Sequence, residues 1–210
     1  MSVGDVVYAA YERRLARSLD RDSLPRHVGV MLDGNRRWAK LRGKDSRTGH
    51  QAGADNIAGF LGWCEDLGVE VVTLWLLSTD NLSRPERELA PLLQIIETAV
   101  ADLAESGRWR INPVGALDLL PDGTATGLRD SGARTALVSG MTVNVAVGYG
   151  GRQEITDAVR ALLAARAEAG ATLAEVAATL TAEDIATHLY TSGQPDPDLV
   201  IRTSGEQRLS

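Results

Sequence analysis

His27-Val28-Gly29-Val30-Met31-Leu32-Asp33-Gly34-Asn35-Arg36-Arg37-Trp38 changes character partway along. Its first half is apolar apart from His27 and rich in valine, which predicts a short buried strand over 27–32. Asp33-Gly34-Asn35 breaks that strand, and a helix opens behind it. A carboxylate at a strand end can hold Mg²⁺. Gly34 lets the backbone come close to a ligand, the first amides of a helix lack intrahelical acceptors, and Arg36 and Arg37 add positive charge. Metal, amides and guanidinium groups together suit a diphosphate. Taken alone, the loop is equally a capped turn with Asp33 as N-cap and two solvated arginines.

Outward from this stretch, strands and helices alternate. The apolar positions Ile57, Phe60, Leu61, Cys64 and Leu67 recur at helical spacing and predict one helix over 49–67, capped by Gly68. Residues 69–77 read as a central parallel strand, rich in Val and Leu with little alternation. A polar loop, 78–84, leads into the clearest helix, 85–105, with Leu89, Leu92, Leu93, Ile96, Val100 and Leu103 on one stripe. A strand over 110–114, a glycine-bearing helix over 120–137, and a strand over 141–147 follow. Gly148-Tyr149-Gly150-Gly151 then turns the chain into a helix from 152 to about 169. Two short helices come next, 173–180 and 181–189, the second with a Thr181-x-x-Asp184 cap. A last strand covers 198–202. The class is α/β, with a mainly parallel central sheet flanked by helices. Ligands in such sheets sit at the carboxyl ends of strands, so the loops 33–38, 78–84 and 203–210 are where chemistry is expected.

Composition limits the function. The chain has 210 residues, 44% hydrophobic and 24% charged, with a formal net charge of −6. No basic excess invites nucleic acid, and a bound anion must be held by local arginines. One cysteine, Cys64, excludes an internal disulfide and reads as a small buried apolar residue. The first residues carry Asp5, Glu12 and several arginines, unlike a signal peptide, and 69–77 is too short to cross a bilayer. A reducing, cytoplasmic location is expected. Residues 3–19 are expected to form an amphipathic helix, with Val7, Tyr8, Tyr11, Leu15 and Leu19 near one face. It either packs on the domain or makes weak peripheral membrane contact. The domain proper then runs 25–210.

Two rival chemistries lack their residues. A haloacid-dehalogenase-type phosphatase needs a nucleophilic Asp two residues before the Asp-Gly, where Met31 stands, and no Walker A loop occurs. The second loop, Ser78-Thr79-Asp80-Asn81-Leu82-Ser83-Arg84, offers hydroxyls, amides and one arginine, or serves only to cap a helix. The third, Arg202-Thr203-Ser204-Gly205-Glu206-Gln207-Arg208-Leu209-Ser210, carries two arginines suited to phosphate oxygens, or is a solvated tail.

These segments together resemble the cis-prenyltransferase (undecaprenyl diphosphate synthase) family. The resemblance runs through 27–40, Gly49-His50-Gln51-Ala52-Gly53, Leu77-Ser78-Thr79-Asp80-Asn81, 144–152 and 198–210, in order. The Asn144-Val145-Ala146-Val147-Gly148-Tyr149-Gly150-Gly151-Arg152 run is most similar to the actinobacterial short-product branch. The resemblance implies a prenyltransferase with a hydrophobic tunnel, Mg²⁺ as cofactor and a homodimer, joining an allylic diphosphate to isopentenyl diphosphate. Asp33 would hold Mg²⁺. Gly34, Asn35, Arg36, Arg37 and Arg84 would cradle the allylic diphosphate, with Ser78, Thr79 and Asp80 as further substrate contacts. Trp38 and His50 would close the site. Arg202, Arg208 and Ser210 would bind isopentenyl diphosphate. Asn81 corresponds to a residue named as proton acceptor, but a neutral amide is a poor base, so it is expected to orient another group.

The chain departs from the family pattern at Arg36, where glycine is common, and at Ser46, where an arginine is common and Arg47 stands beside it. Leu82 replaces an aromatic. The family continues beyond the position of Ser210, with a second metal-binding Glu about ten residues on, among the several oxygens a metal site needs. Leu76 stands where long-product members have a small residue. A filled apolar channel cannot accept more atoms, so a short product is expected: (2Z,6E)-farnesyl diphosphate from geranyl diphosphate. The alternatives are a longer-chain synthase, an irregular enzyme coupling two allylic units, and a non-catalytic subunit.

Overall fold

Five apolar runs become the strands of one sheet: β1 (His27–Met31), β2 (Val71–Ser78), β3 (Arg110–Val114), β4 (Thr142–Tyr149) and β5 (Leu199–Arg202). They are seen in a computed structural model that describes residues 8, 11, 14, 15 and 18–206. All paired strands are parallel, in the order β3-β4-β2-β1-β5. Most of the helix expected over 3–19 lies outside the described residues, as do Arg208 and Ser210.

The helices are α1 (Asn35–Leu41), α2 (Ser46–Asp55), α3 (Ile57–Asp66), α4 (Glu86–Glu105), α5 (Asp122–Thr135), α6 (Gly151–Glu168), α7 (Leu173–Thr179) and α8 (Ala182–Ala186). One expectation fails here. The helix read as continuous over 49–67 is two helices, because Asn56 ends the first and its side-chain amide donates to Ala52 O at 2.7 Å. The first also begins earlier, at Ser46, where Asp45 accepts from Thr48 N at 2.7 Å.

Valines on β2 and β4 fill the centre: Val72, Val143, Val145 and Val147 are fully buried, as is Leu61 of α3. Such runs are apolar on both faces because helices cover a parallel sheet. A polar strip still crosses one face. His27 Nε2 lies 2.8 Å from Thr73 Oγ1, and Asn144 Nδ2 donates to the same oxygen at 3.0 Å. The pairing of β2 with β4 runs from Trp75↔Ala146 to Leu77↔Val147, so Leu76 is an extra residue. A bulge of this kind re-aims side chains at strand ends.

Candidate active site

The carboxyl ends of β1, β2, β4 and β5 meet around a cleft of ≈ 580 Å³. Its polar wall brings together Asp33, Arg36, Arg37, His50, Asn81, Arg84 and Arg202, from loops and element ends distant in sequence. Its apolar wall is made by Leu32, Trp75, Leu76, Leu77 and Leu92. Ser78, Asp80 and Asn35 also line it, so most of the expected residues converge.

Gly34 makes the first turn possible. It sits at φ +85°, and a Cβ there would lie 3.1 Å from Ser204 Cα, so the loop after β1 and the loop after β5 pack backbone to backbone. Gly49 is the second close approach: a Cβ there would collide with Asn35 O. That contact lets α2 press on the start of α1 and brings His50 to the cleft. Asn35 uses its side chain to brace the turn, donating to Leu32 O at 3.2 Å.

Asp33 is held from the third loop. Arg202 Nε donates to Oδ2 at 2.7 Å and Ser204 N to Oδ1 at 3.0 Å. Partial burial pushes the Asp33 carboxyl up, but the hydrogen bonds from Arg202 and Ser204 outweigh it and hold it below the usual carboxylate range. It is therefore an ionised oxygen donor at neutral pH. Arg202 also lies 3.4 Å from Glu206, whose other oxygen accepts from Arg37 at 3.0 Å. Glu206 was not among the expected residues; its place in the Ser204-Gly205-Glu206 turn was the available signal.

Arg84 Nε and Nη2 both donate to Asn81 Oδ1, at 3.0 and 2.7 Å. Asn81 thus positions a guanidinium, and its carbonyl oxygen is already engaged. Burial, then the charges of Arg84 and Arg36, lower the His50 pKa, so His50 is neutral at pH 7 and can donate without adding charge. A side pocket of ≈ 110 Å³ joins Arg36, His50 and Arg84 to Arg47 and Arg87. Arg47 therefore does face the group of cations from which Ser46 is missing an arginine. Arg87 was missed by sequence reasoning because at the start of a helix it reads as a solvated charge.

Two of the expected residues lie outside the lining of this cleft. Trp38 does not line the cleft. It faces a neighbouring groove with Leu41, Ala52 and Thr203, and Arg42 stacks 4.6 Å from its ring centre. Thr79 is likewise absent from the cleft wall, which takes Ser78 and Asp80 but not the residue between them. Beyond Leu76 and Leu92 the expected tunnel is a pocket of only ≈ 30 Å³, lined by Ile57, Ile95, Ile96 and Ala99.

Among the described residues no group of three or more His, Cys, Asp or Glu side chains could hold a metal unaided. One ionised carboxylate beside a phosphate-sized cationic pocket does fit Mg²⁺, which is commonly bound by one or two carboxylates, substrate phosphates and water. No helix among the described residues is long and apolar enough to cross a membrane.

Residues 31–210 match the family described as "Putative undecaprenyl diphosphate synthase". The (2Z,6E)-farnesyl diphosphate synthase of Thermobifida fusca is 61% identical over 205 residues, 97% of this chain and 80% of that protein. Isoprenyl transferase 1 of Streptomyces avermitilis is 56% identical over 200 residues, 95% of this chain and 78% of that protein. The crystal structure of lavandulyl diphosphate synthase from Lavandula x intermedia, in complex with dimethylallyl diphosphate, superposes with a TM-score of 0.79 at 33% identity. It covers 89% of this chain and 80% of the other. The chain belongs to this cis-prenyltransferase family and is a prenyltransferase.

Proposed function

We propose, from this family membership and the cleft just described, that the chain condenses geranyl diphosphate with isopentenyl diphosphate to give (2Z,6E)-farnesyl diphosphate. One observation carries the reading. The cleft joins Asp33 and four arginines, Arg36, Arg37, Arg84 and Arg202, to an apolar end that Leu76 and Leu92 nearly close. The cationic wall fits two diphosphates and the short apolar end fits a short prenyl tail.

In this reading Arg36, Arg37 and Arg84 take the allylic diphosphate, and Arg202, with Arg208 and Ser210, takes that of isopentenyl diphosphate. Asp33 would hold Mg²⁺, which supplies charge stabilisation to the departing diphosphate. The allylic C–O bond ionises while the guanidinium groups stabilise the leaving oxygens. The double bond of isopentenyl diphosphate then attacks the allylic carbon, and a proton leaves. Asn81 is a poor acceptor because its Oδ1 already receives Arg84. The departing diphosphate, which Arg84 would hold, would take that proton. The cytoplasmic location and homodimer implied by the family resemblance belong to the same proposal.

Incubation with labelled isopentenyl diphosphate, geranyl diphosphate and Mg²⁺, followed by extraction and separation of dephosphorylated products, tests it. Labelled farnesol that requires both substrates and the metal is expected. The likeness to lavandulyl diphosphate synthase favours a second reading, coupling of two allylic units, which would show instead as product from dimethylallyl diphosphate alone.

A further inference from the structure

We propose that the Asp33–Arg202 ion pair is a latch that couples cation binding to anion binding in this cleft. The inference rests on the diphosphate reading above and extends it to the order in which the site fills. Both oxygens of Asp33 are engaged, one by Arg202 Nε at 2.7 Å and the other by Ser204 N at 3.0 Å. The pair is partly withdrawn from solvent, with 18% of the Arg202 side chain and 33% of the Asp33 side chain exposed. Screening by water is therefore weaker than at a surface pair.

A divalent cation arriving alone must take Asp33 with a guanidinium beside it, or displace that guanidinium from its partner. A diphosphate arriving alone meets an arginine already shared with a carboxylate, whose like charge opposes it. Together, the two ligands exchange partners without loss: the carboxylate gains the cation and the guanidinium gains phosphate oxygens. Each ligand thus prepares the site for the other, and linkage makes the effect reciprocal.

The surroundings suit such an exchange. Thr203 Oγ1 donates to Asp33 O at 2.7 Å and lies 3.2 Å from Met31 O, so the loop stays docked on the end of β1 while the side chains part. Glu206 lies 3.4 Å from Arg202 and bonds Arg37, which keeps a released Arg202 beside the cleft. A coupling of about tenfold is expected for one pair of this kind.

The test uses the metal-stripped full chain and two probes applied separately. Mn²⁺ alone is titrated by electron paramagnetic resonance, and inorganic pyrophosphate alone, in EDTA, by calorimetry. Arg202→Gln should tighten Mn²⁺ about tenfold more than Arg36→Gln, which removes the same charge from the same cleft but pairs with Glu88. Asp33→Asn should likewise tighten pyrophosphate relative to Asp80→Asn. The two arms alter different residues, so a folding loss in one variant leaves the other to decide. If Arg202→Gln equals its charge control, or Asp33→Asn equals its own, the pair is a passive contact and the latch is wrong. Matched tightening in a chain that makes no condensation product would keep the latch and remove the proposed reaction.

Discussion

Replacing Leu76 by alanine should lengthen the product. Leu76 is the unpaired residue in the β2–β4 ladder, and it borders both the ≈ 580 Å³ cleft and the ≈ 30 Å³ apolar pocket behind it. Truncation removes three carbons from the partition and lets the two spaces merge toward Ile95 and Ile96. At ~0.8 kcal/mol for each buried carbon, complete burial would make the loss about 2.4 kcal/mol. Leu76 is only half-buried, so a loss of about 1–2 kcal/mol is expected, below the roughly 2–5 kcal/mol of a solid core position. For a domain of this size that lowers Tm by about 2–8 °C. The first condensation should survive, because no group proposed to hold a diphosphate is touched. The assay supplies excess labelled isopentenyl diphosphate with geranyl diphosphate and separates the dephosphorylated products by reversed-phase chromatography. Wild type should stop at one addition and Leu76→Ala should add further units. An unchanged length distribution, or a wild type that itself makes long chains, would refute the assignment of Leu76 as the stop.

Asp33→Ala should cut Mg²⁺-dependent condensation roughly a hundredfold or more, measured as kcat at saturating substrates, with the far-ultraviolet circular dichroism spectrum unchanged. Asn81→Ala and Arg84→Ala should each lower kcat/KM, and the double variant should be little worse than the worse single one, because Asn81 works by holding Arg84; additive losses would give Asn81 a separate role. Gly49→Ala forces a Cβ onto Asn35 O and should cost about 1–3 kcal/mol in urea unfolding while disturbing the site. The lowered His50 pKa places proton uptake on the unfolded state first, so stability should fall as pH drops below the unfolded His value of about 6.5. His50→Gln should flatten that fall in unfolding curves at pH 5 and 7.

How much of this was legible depended on range. The strands were readable because central parallel strands are continuous apolar runs, as in Val71-Val72-Thr73-Leu74. The break at Asn56 was not, since Ile57, Leu61 and Cys64 keep helical spacing on its far side and no Pro or Gly marks it. Trp38 was expected to close the site on the family resemblance alone. Its direction depends on how α1 is seated, which Gly49 and Asn35 decide through space. The unpaired state of Leu76 is a property of β4 as much as of β2. The contact between Asp33 and Arg202 joins positions 169 residues apart, and no local pattern carries it.

That contact depends on strand order. With strands about 4.8 Å apart, placing β5 beyond β3 rather than beside β1 would move Arg202 about 20 Å from Asp33, and no ion pair would form. Burial does little to hold β5 in place, since Leu199 and Val200 remain 44% and 40% exposed. Polar clamps at both ends do it instead. At the start, the Asp198 carboxylate accepts the amides of Arg26 and His27 at 2.7 and 3.0 Å, and Asp198 N donates to His27 O at 2.9 Å. At the finish, Thr203 N donates to Met31 O at 3.2 Å, and the Thr203 hydroxyl bonds Asp33 O. A register slip of one residue would break both clamps and turn Arg202 to the opposite face of the sheet. The placement of Arg202 beside Asp33 therefore rests on a few directional bonds at the strand ends, and an acidic chain gathers four arginines over one cleft by topology more than by composition.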